Sequence, residues 1–157
     1  MIKVFIDGSA GTTGLRIRGM LEKRADISLI TLSEAARKEI SARRDALNSA
    51  DVAFLCLPDD AAREAVSLVE NGDTIVIDAS TAHRTSPDWA YGFPELSAKH
   101  RAAIANGKRI ANPGCYASGF IALVYPLIAA GVAAKDYPFV CHAVSGYSGA
   151  GKKGIAE

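Results

Sequence analysis

The sequence lacks an excess of charge of either sign, and it lacks a hydrophobic run long enough to cross a membrane. Its 157 residues include 18 Lys and Arg and 17 Asp and Glu, which gives a net charge of +1. This balance gives no reason to expect a nucleic acid or a membrane surface as partner. The most apolar stretch, residues 119–134, contains Pro126 and Gly131 and is too short to span a bilayer. The first residues, MIKVFID, follow a strand pattern and not that of a signal peptide, so we expect a soluble cytoplasmic protein.

Cysteine is also scarce, since the chain has only three, at positions 56, 115 and 141. They fit no metal-ligand spacing, so no metal site is predicted, and they cannot all pair with one another. Cys56 and Cys141 lie in apolar strand-like patterns, where free cysteine usually packs as a small hydrophobic side chain. Cys115 instead follows the turn Asn-Pro-Gly. We therefore treat Cys115 as the candidate nucleophile and expect the other two to be inert in the core.

Strand-like and helix-like patterns alternate along the chain, and the strands are short, rich in Val and Ile and apolar on both faces. Such strands are typical of a parallel sheet covered by helices on both sides. We predict a doubly wound, Rossmann-type α/β fold. Strands are predicted at residues 2–7, 27–32, 52–57, 74–79, 109–111 and 139–145. Helices are predicted at about 14–24, in the charged stretch that follows the second strand and ends at residue 48, at 59–72, at 95–107 and from 115 onward.

The last part of the chain differs from this pattern. After the predicted strand at 139–145, GYSGAGKKGIAE begins a new turn and helix with nothing to pack against. We expect a fragment of a longer protein, with an NADP-binding Rossmann domain at residues 1–112 and the beginning of a second α/β substrate domain at 113–157. We also expect residues 113–157 to be ordered only beside a partner segment.

The first predicted strand leads directly into a glycine-rich stretch, DGSAGTTGL. Glycines at a strand-to-helix turn let the backbone approach a pyrophosphate, which then rests on the N-terminus of the helix that follows. The spacing is GxxGxxG, not the commoner GxGxxG, so an ordinary glycine-rich turn is the alternative. The candidate cofactor-binding residues in this stretch are Gly8, Ser9, Gly11, Thr12, Thr13 and Gly14.

The end of the second predicted strand bears on which dinucleotide binds. An NAD site usually has an acidic residue there, which binds the ribose 2′-hydroxyl. Ser33 is nearest to that place and Arg37 and Lys38 follow, a set that suits the 2′-phosphate of NADP. Glu34 favours NAD, so both cofactors stay open, and NADP(H) is the one we expect. Further candidate cofactor residues, each at or directly after the end of a predicted strand, are Leu57, Pro58 and Ser80, the last facing the nicotinamide.

The loop ASTAHR, residues 79–84, also follows a predicted strand. Arg84 is a candidate to bind an anionic group of a substrate. His83 is a candidate acid/base, although a lone loop histidine is more often structural or exposed to solvent. We expect His100 at the surface and His142 in the core.

A rival motif lies at residues 146–152, where GYSGAGK fits the GxxxxGK of a P-loop. The next residue of a P-loop is Ser or Thr, which holds Mg²⁺, but here it is Lys153. A polar loop that lines a substrate pocket explains the same residues. Ser145 and Gly146 are then candidate substrate or oxyanion contacts.

Cys115 stands where a predicted helix begins, beyond a strand end. Free N–H groups and the helix dipole favour a thiolate there, and ligands of doubly wound sheets bind beyond the carboxyl ends of the strands. A nucleophilic thiol beside a hydride carrier suggests that a thioester is formed and then reduced, or the reverse. A buried cysteine at a helix N-terminus is the alternative.

Six stretches together resemble the N-acetyl-γ-glutamyl-phosphate reductase family, in its shorter form. They are FIDGSAGTTGLRIRGML, CLPDDAAREAV, DASTAHR, WAYGFPEL, NPGCYASG and AVSGYSGAGKKGIAE, in order along essentially the whole chain. The resemblance implies NADPH-dependent reduction of N-acetylglutamyl phosphate to the semialdehyde, with release of phosphate, in arginine biosynthesis. The partner it implies is a small acyl phosphate, and the full-length enzyme is expected to be a homo-oligomer.

The resemblance puts the nucleophile on Cys115 and the cofactor loop on residues 8–14. Ser80, Arg84 and Asn112 match positions near the site, and Asn112 is a candidate oxyanion contact. Members of the family are considerably longer, and the histidine expected as acid/base lies beyond residue 157, so this chain should not be a complete catalyst. The alternatives are an enzyme like aspartate-semialdehyde dehydrogenase, a P-loop protein, or a nucleotide-binding module without chemistry.

Overall fold

The fold is built on one six-stranded parallel sheet. The computed structural model describes residues 1–144, 146 and 149. The strand order across the sheet is β2-β1-β3-β4-β6-β5, and every neighbouring pair is parallel. The strands are β1 (Ile2–Asp7), β2 (Ile27–Ile30), β3 (Val52–Leu55), β4 (Ile75–Asp78), β5 (Ala90–Tyr91) and β6 (Arg109–Ala111).

Helices connect the successive strands, as is usual for parallel pairing, except between β4 and β5, which a loop joins. They are α1 (Thr12–Leu21), α2 (Ile40–Ser49), α3 (Asp59–Ser67), α4 (Ala98–Asn106) and α5 (Cys115–Ala129), with short 3₁₀ turns at Ala36–Lys38 and Pro94–Leu96. This arrangement confirms the predicted Rossmann-type α/β fold. Among the described residues, no helix combines the length and the apolar character that a bilayer span needs.

The main cluster of the core lies on one face of the sheet, while Val4 and Ile6 of β1 are buried on the other. Successive side chains of a strand point to opposite faces, and in β3 and β4 the residues Ala53, Leu55 and Val76 are fully buried. They pack with side chains of α2 and α3, among them Leu47 and Ala65. The alternate residues of the same strands, which face the other way, are only half-buried. The two faces of the sheet are therefore covered unequally by the described residues.

Several predicted boundaries were wrong. β2, β3 and α3 are shorter than predicted, and the two-residue strand β5 lies in what was predicted as a loop. Residues 139–144 form no strand, because an apolar run becomes a strand only where a neighbouring strand accepts its hydrogen bonds. Cys141 and His142, predicted in the core, are consequently exposed.

Candidate active site

The glycine-rich turn joins β1 to α1, and the backbone leaves no room for a side chain at Gly8 or Gly14. Gly8 has φ +84, and a Cβ there would lie 2.2 Å from the carbonyl oxygen of Cys56. A Cβ at Gly14 would lie 2.4 Å from the oxygen of Gly8, and the N–H of Gly11 donates to that same oxygen at 3.0 Å. No side chain caps the first turn of α1. The turn thus fits the close approach of a pyrophosphate to backbone N–H groups.

A cleft of about 240 Å³ opens beside this turn, at the carboxyl ends of β1 and β2. Its walls include four of the candidate cofactor residues, Gly8, Ser9, Arg37 and Leu57, together with residues 29–32. Arg37 also donates through Nε to the carbonyl oxygen of Leu32 at 3.2 Å, which fixes its side chain at the cleft. The cleft lies beyond the carboxyl ends of parallel strands, where doubly wound sheets bind ligands, and Arg37 is one of three arginines in its walls.

Ser33 and Pro58, two other candidate cofactor residues, do not line this cleft. The Ser33 hydroxyl accepts a hydrogen bond from the N–H of Ala36 at 3.2 Å, and Ser33 is not among the residues that line the cleft. Pro58 is the N-cap residue of α3. Arg37 is therefore better placed than Ser33 to meet a 2′-phosphate.

A buried ion pair supports the cleft, and the sequence analysis missed it. The Asp7 carboxylate, at the end of β1, accepts from Nε of Arg43 at 3.1 Å, and Nη2 of Arg43 lies 3.0 Å from the same oxygen. Nη1 of Arg43 donates to Glu64 of α3 at 2.8 Å. Burial raises the pKa of Asp7, and Arg43 opposes this rise. The only sequence signal was a carboxylate at the end of an apolar strand, because nothing local marks Arg43 as its partner.

A second pocket, of about 670 Å³, connects the start of α1 with the ends of the central strands. Thr12 and Thr13 line it on one side and Ala79 and Asn112 on the other. Asn112 comes directly after β6, and its N–H donates to the carbonyl oxygen of Asp78 at 2.8 Å. The pocket therefore brings the cofactor loop and the turn before Cys115 to one edge of the sheet.

The loop after β4 is organised by the carboxylate of Asp78, which is fully buried. It accepts from the N–H of Ser80 at 2.9 Å and from its hydroxyl at 2.7 Å, and Nδ1 of His83 lies 2.6 Å away. The His83 ring stacks on Trp89 with 4.1 Å between ring centroids. Ser80 and His83 thus serve the loop structurally, which agrees with the structural alternative given for His83.

Asp59 holds the same loop from α3. Its carboxylate accepts hydrogen bonds from the N–H of Thr81 at 2.9 Å and from the Thr81 hydroxyl. These hydrogen bonds lower the pKa of Asp59, the hydroxyl contributing most. The carboxylates of Asp78 and Asp59 therefore both hold the backbone of this loop, at Ser80 and at Thr81.

Cys115 is exposed and is the first residue of α5, after the N-cap residue Gly114. Cys56 is half-buried, and burial together with the charges of Asp7 and Asp78 raises the pKa of its thiol to about 11. Cys141 is exposed in an irregular stretch. The described residues thus offer one accessible thiol at the start of a helix.

The remaining predicted contacts lie at the end of the chain. Ser145 and the Lys152 of the P-loop-like motif lie outside the described residues. Gly146 is exposed, and its carbonyl oxygen accepts from the N–H of Gly149 at 2.9 Å. Gly149 lines the second pocket.

His100, predicted at the surface, is half-buried, with Nδ1 2.8 Å from the Ser97 hydroxyl.

Two family descriptions match the chain. The family "Semialdehyde dehydrogenase, NAD binding domain" matches residues 3–104. The family "Semialdehyde dehydrogenase, dimerisation domain" matches residues 115–157. The two matches together include the glycine turn, the loop after β4 and Cys115.

Curated relatives are similar over nearly the whole chain. A protein of Burkholderia cenocepacia named N-acetyl-gamma-glutamyl-phosphate reductase is 57% identical over 97% of this chain and 49% of its own length. Proteins of the same name from Trichormus variabilis and Chelativorans sp. are 55% and 54% identical, over 99% of this chain and 48% and 50% of their own lengths. The chain spans about half the length of the curated relatives it matches.

Solved structures share the fold at low sequence identity. Aspartate semialdehyde dehydrogenase II of Vibrio cholerae, complexed with ASA, superposes with a TM-score of 0.67 at 19% identity, over 99% of this chain and 49% of its own. The aspartate semialdehyde dehydrogenase of Candida albicans with NADP gives 0.58 at 21% identity, over 83% of this chain and 47% of its own.

Proposed function

The chain belongs to the semialdehyde dehydrogenase family by its NAD-binding domain, and from this membership we propose that it is the cofactor-binding, nucleophile-bearing half of an NADPH-dependent N-acetyl-γ-glutamyl-phosphate reductase. The reaction reduces N-acetylglutamyl 5-phosphate to the 5-semialdehyde and releases phosphate, a step of arginine biosynthesis. The names of relatives more than 50% identical to the chain support this substrate.

The observation that carries the proposal is that the start of α1, directly after the glycine turn, and Asn112, in the turn before Cys115, line one pocket. The second pocket runs from Thr12 and Thr13, at the start of α1, to Asn112, three residues before Cys115. A thiol and a dinucleotide loop at one edge of a parallel sheet suit hydride transfer to a thiol-bound acyl group.

In the proposed mechanism, the Cys115 thiolate attacks the acyl carbon of the substrate. The carbon–sulfur bond of a thioester forms while the carbon–oxygen bond to phosphate breaks, and phosphate leaves with the electron pair. N–H groups in the first turn of α5, with Asn112, are placed to stabilise the oxyanion that develops on the acyl oxygen.

The described residues fit the cofactor at both pockets. The turn at residues 8–14 would hold the pyrophosphate, and Leu57 and Arg37 would line the adenosine end. When bound, NADPH supplies the hydride that brings the acyl group to the aldehyde level. The Arg37 guanidinium suits a 2′-phosphate, because a charged fork binds phosphate oxygens in pairs, and this favours NADP over NAD.

The domain division, the assembly and the location remain part of the proposal. We place the NADP-binding domain at 1–112 and the beginning of the substrate domain at 113–157. The match of residues 115–157 to a dimerisation domain supports a homo-oligomer. The cytoplasmic location stays a prediction.

The test is a substrate comparison with the protein made from its complete reading frame. Activity is measured in reverse, as phosphate-dependent reduction of NADP⁺ by N-acetylglutamate semialdehyde or by aspartate semialdehyde. We expect turnover of the first substrate only, and none in Cys115→Ser. Preference for aspartate semialdehyde would contradict the proposed substrate, and full activity of Cys115→Ser would contradict the proposed nucleophile.

A further inference from the structure

The side chain of Arg84 connects two strand ends near Cys115. Its Nε donates to the carbonyl oxygen of Asn112 at 3.0 Å, directly after β6. Its Nη2 donates to the carbonyl oxygen of Ala79 at 3.1 Å, directly after β4. Two of the three guanidinium nitrogens are therefore bound to backbone that flanks the candidate site.

The third nitrogen lies against Gly114. A Cβ built at Gly114 would be 2.7 Å from Nη1 of Arg84 and 3.4 Å from Cζ. Gly114 has φ −76 and ψ 156, an extended conformation that every residue adopts, so its backbone angles do not demand glycine. The guanidinium of Arg84 is therefore the group that a side chain at position 114 would meet.

Arg84 is itself anchored by the loop from which it extends. Asp78 holds Ser80 and His83, and Asp59 holds Thr81. The position of the guanidinium is thus fixed by the sheet and α3, and through Asn112 and Gly114 it fixes where α5 begins.

We propose that Arg84 is a positioning residue for Cys115: its guanidinium clamps the backbone at Ala79 and Asn112 and packs against Gly114, which sets the first turn of α5 and the direction of the thiol. This inference rests on the proposed role of Cys115 as nucleophile. It differs from the role in substrate binding expected from the sequence, because the contacts that carry it are made without a substrate.

The first test is Arg84→Lys in the protein from its complete reading frame. Lysine keeps the charge, but its single ammonium cannot reproduce the planar fork that reaches both carbonyl oxygens. We expect kcat to fall about tenfold with KM changed less than about twofold, because losing a charged hydrogen bond typically has this size. Without substrate, we expect alkylation of Cys115 by iodoacetamide near neutral pH to slow by a similar factor.

The second test is a double-mutant cycle between Arg84 and Gly114, read by the rate of Cys115 alkylation. Gly114→Ala should slow alkylation, because the new Cβ displaces the guanidinium. Once Arg84→Ala has removed that group, Gly114→Ala should have no further effect, so the two changes are not additive. The matched control is Gly119→Ala in α5, where a Cβ meets nothing within 4 Å and alkylation should not change.

The possible outcomes separate the two proposals. A raised KM with unchanged kcat and unchanged alkylation in Arg84→Lys would overturn the positioning role and leave Arg84 as a substrate contact. Additive effects in the double-mutant cycle would also overturn the positioning role. Circular dichroism and NADPH binding identify any variant that fails to fold. If the wild-type protein showed no reductase activity but the cycle were non-additive, the proposed function would fail while the positioning role held.

Discussion

Arg43 of α2 and Asp7 of β1 form a buried ion pair, with Nη2 of Arg43 3.0 Å from the carboxylate oxygen. Their side chains are 11% and 9% exposed. Asp7 directly precedes Gly8, so the pair ties a helix of the core to the first residue of the glycine turn. The cofactor cleft is therefore supported by a charge interaction between residues 36 positions apart.

We expect Arg43→Met to lower the free energy of unfolding by about 3–5 kcal/mol, because it leaves the Asp7 carboxylate buried without its partner. The control is Arg44→Met, since Arg44 is exposed and lies 3.7 Å from Glu70; its effect should stay within about 0.5 kcal/mol. Urea denaturation measures both. Equal effects of the two substitutions would contradict a structural role for the ion pair.

Gly8→Ala should abolish NADPH binding. The new Cβ would overlap the backbone oxygen of Cys56, and the positive φ would strain any other residue. Gly19→Ala, in the same helix–turn unit but with nothing within 4 Å of a Cβ, should bind NADPH normally. Calorimetric titration gives both affinities, and normal binding by Gly8→Ala would place the pyrophosphate elsewhere.

The choice of cofactor should depend on Arg37 and not on the next residue. Arg37 lines the cleft, so Arg37→Ala should reduce the ratio of NADPH to NADH affinity about tenfold, the size of one charge-assisted phosphate contact. Lys38 is absent from the cleft lining, and Lys38→Ala should leave the ratio within about twofold. A matching loss in both variants would indicate general electrostatic attraction.

Among the three thiols we expect Cys115 to be alkylated first. It is the exposed first residue of α5, where the N–H groups of the first turn have no partner within the helix, whereas Cys141 is exposed in an irregular stretch. Cys56 should be unreactive near neutral pH, since its thiol has a pKa of about 11. Iodoacetamide labelling, with the modified peptides identified by mass spectrometry, measures the order, and earlier labelling of Cys56 or Cys141 would contradict it.

The contribution of Asp59 to the free energy of unfolding should depend on pH. Its pKa in the folded state is lowered below the ordinary 3.8 by the hydrogen bonds from Thr81. Its contribution is therefore complete above that value and is lost as the pH falls through the folded-state pKa. The difference in unfolding free energy between the wild type and Asp59→Asn should shrink below pH 3.8, and a difference that stayed constant with pH would contradict this assignment.

The parts of the fold that sequence predicts well have a strong local pattern. β1 and β6 have the predicted bounds, because each is a β-branched or apolar run flanked by turn residues. The strand Ala90–Tyr91 was missed because two residues at a sheet edge carry no periodicity. The strand predicted at 139–145 failed for the opposite reason, since an apolar pattern was present but residues 139–144 have no strand to pair with.

For the candidate site, too, sequence could predict some of the residues that lie together and not others. The glycine turn, Leu57 and Arg37 could be placed together because loops at the carboxyl ends of parallel strands share one edge. The partners of Asp7 and Asp78 could not, since each pairing depends on how the chain packs and not on spacing. Sequence therefore named Arg84 as a substrate contact, while its bonds to Asn112 and Ala79 became visible only in the structure.

The stacking of His83 on Trp89 allows the loop after β4 to be followed by tryptophan fluorescence. Trp89 is the only tryptophan in this chain, so the indole emission of the chain comes from one place. The imidazole ring is stacked 4.1 Å from the indole, so we expect a movement that separates the two rings to change the intensity of that emission. Because the loop between them also carries Arg84, the chain contains its own optical reporter for the segment that holds the start of α5.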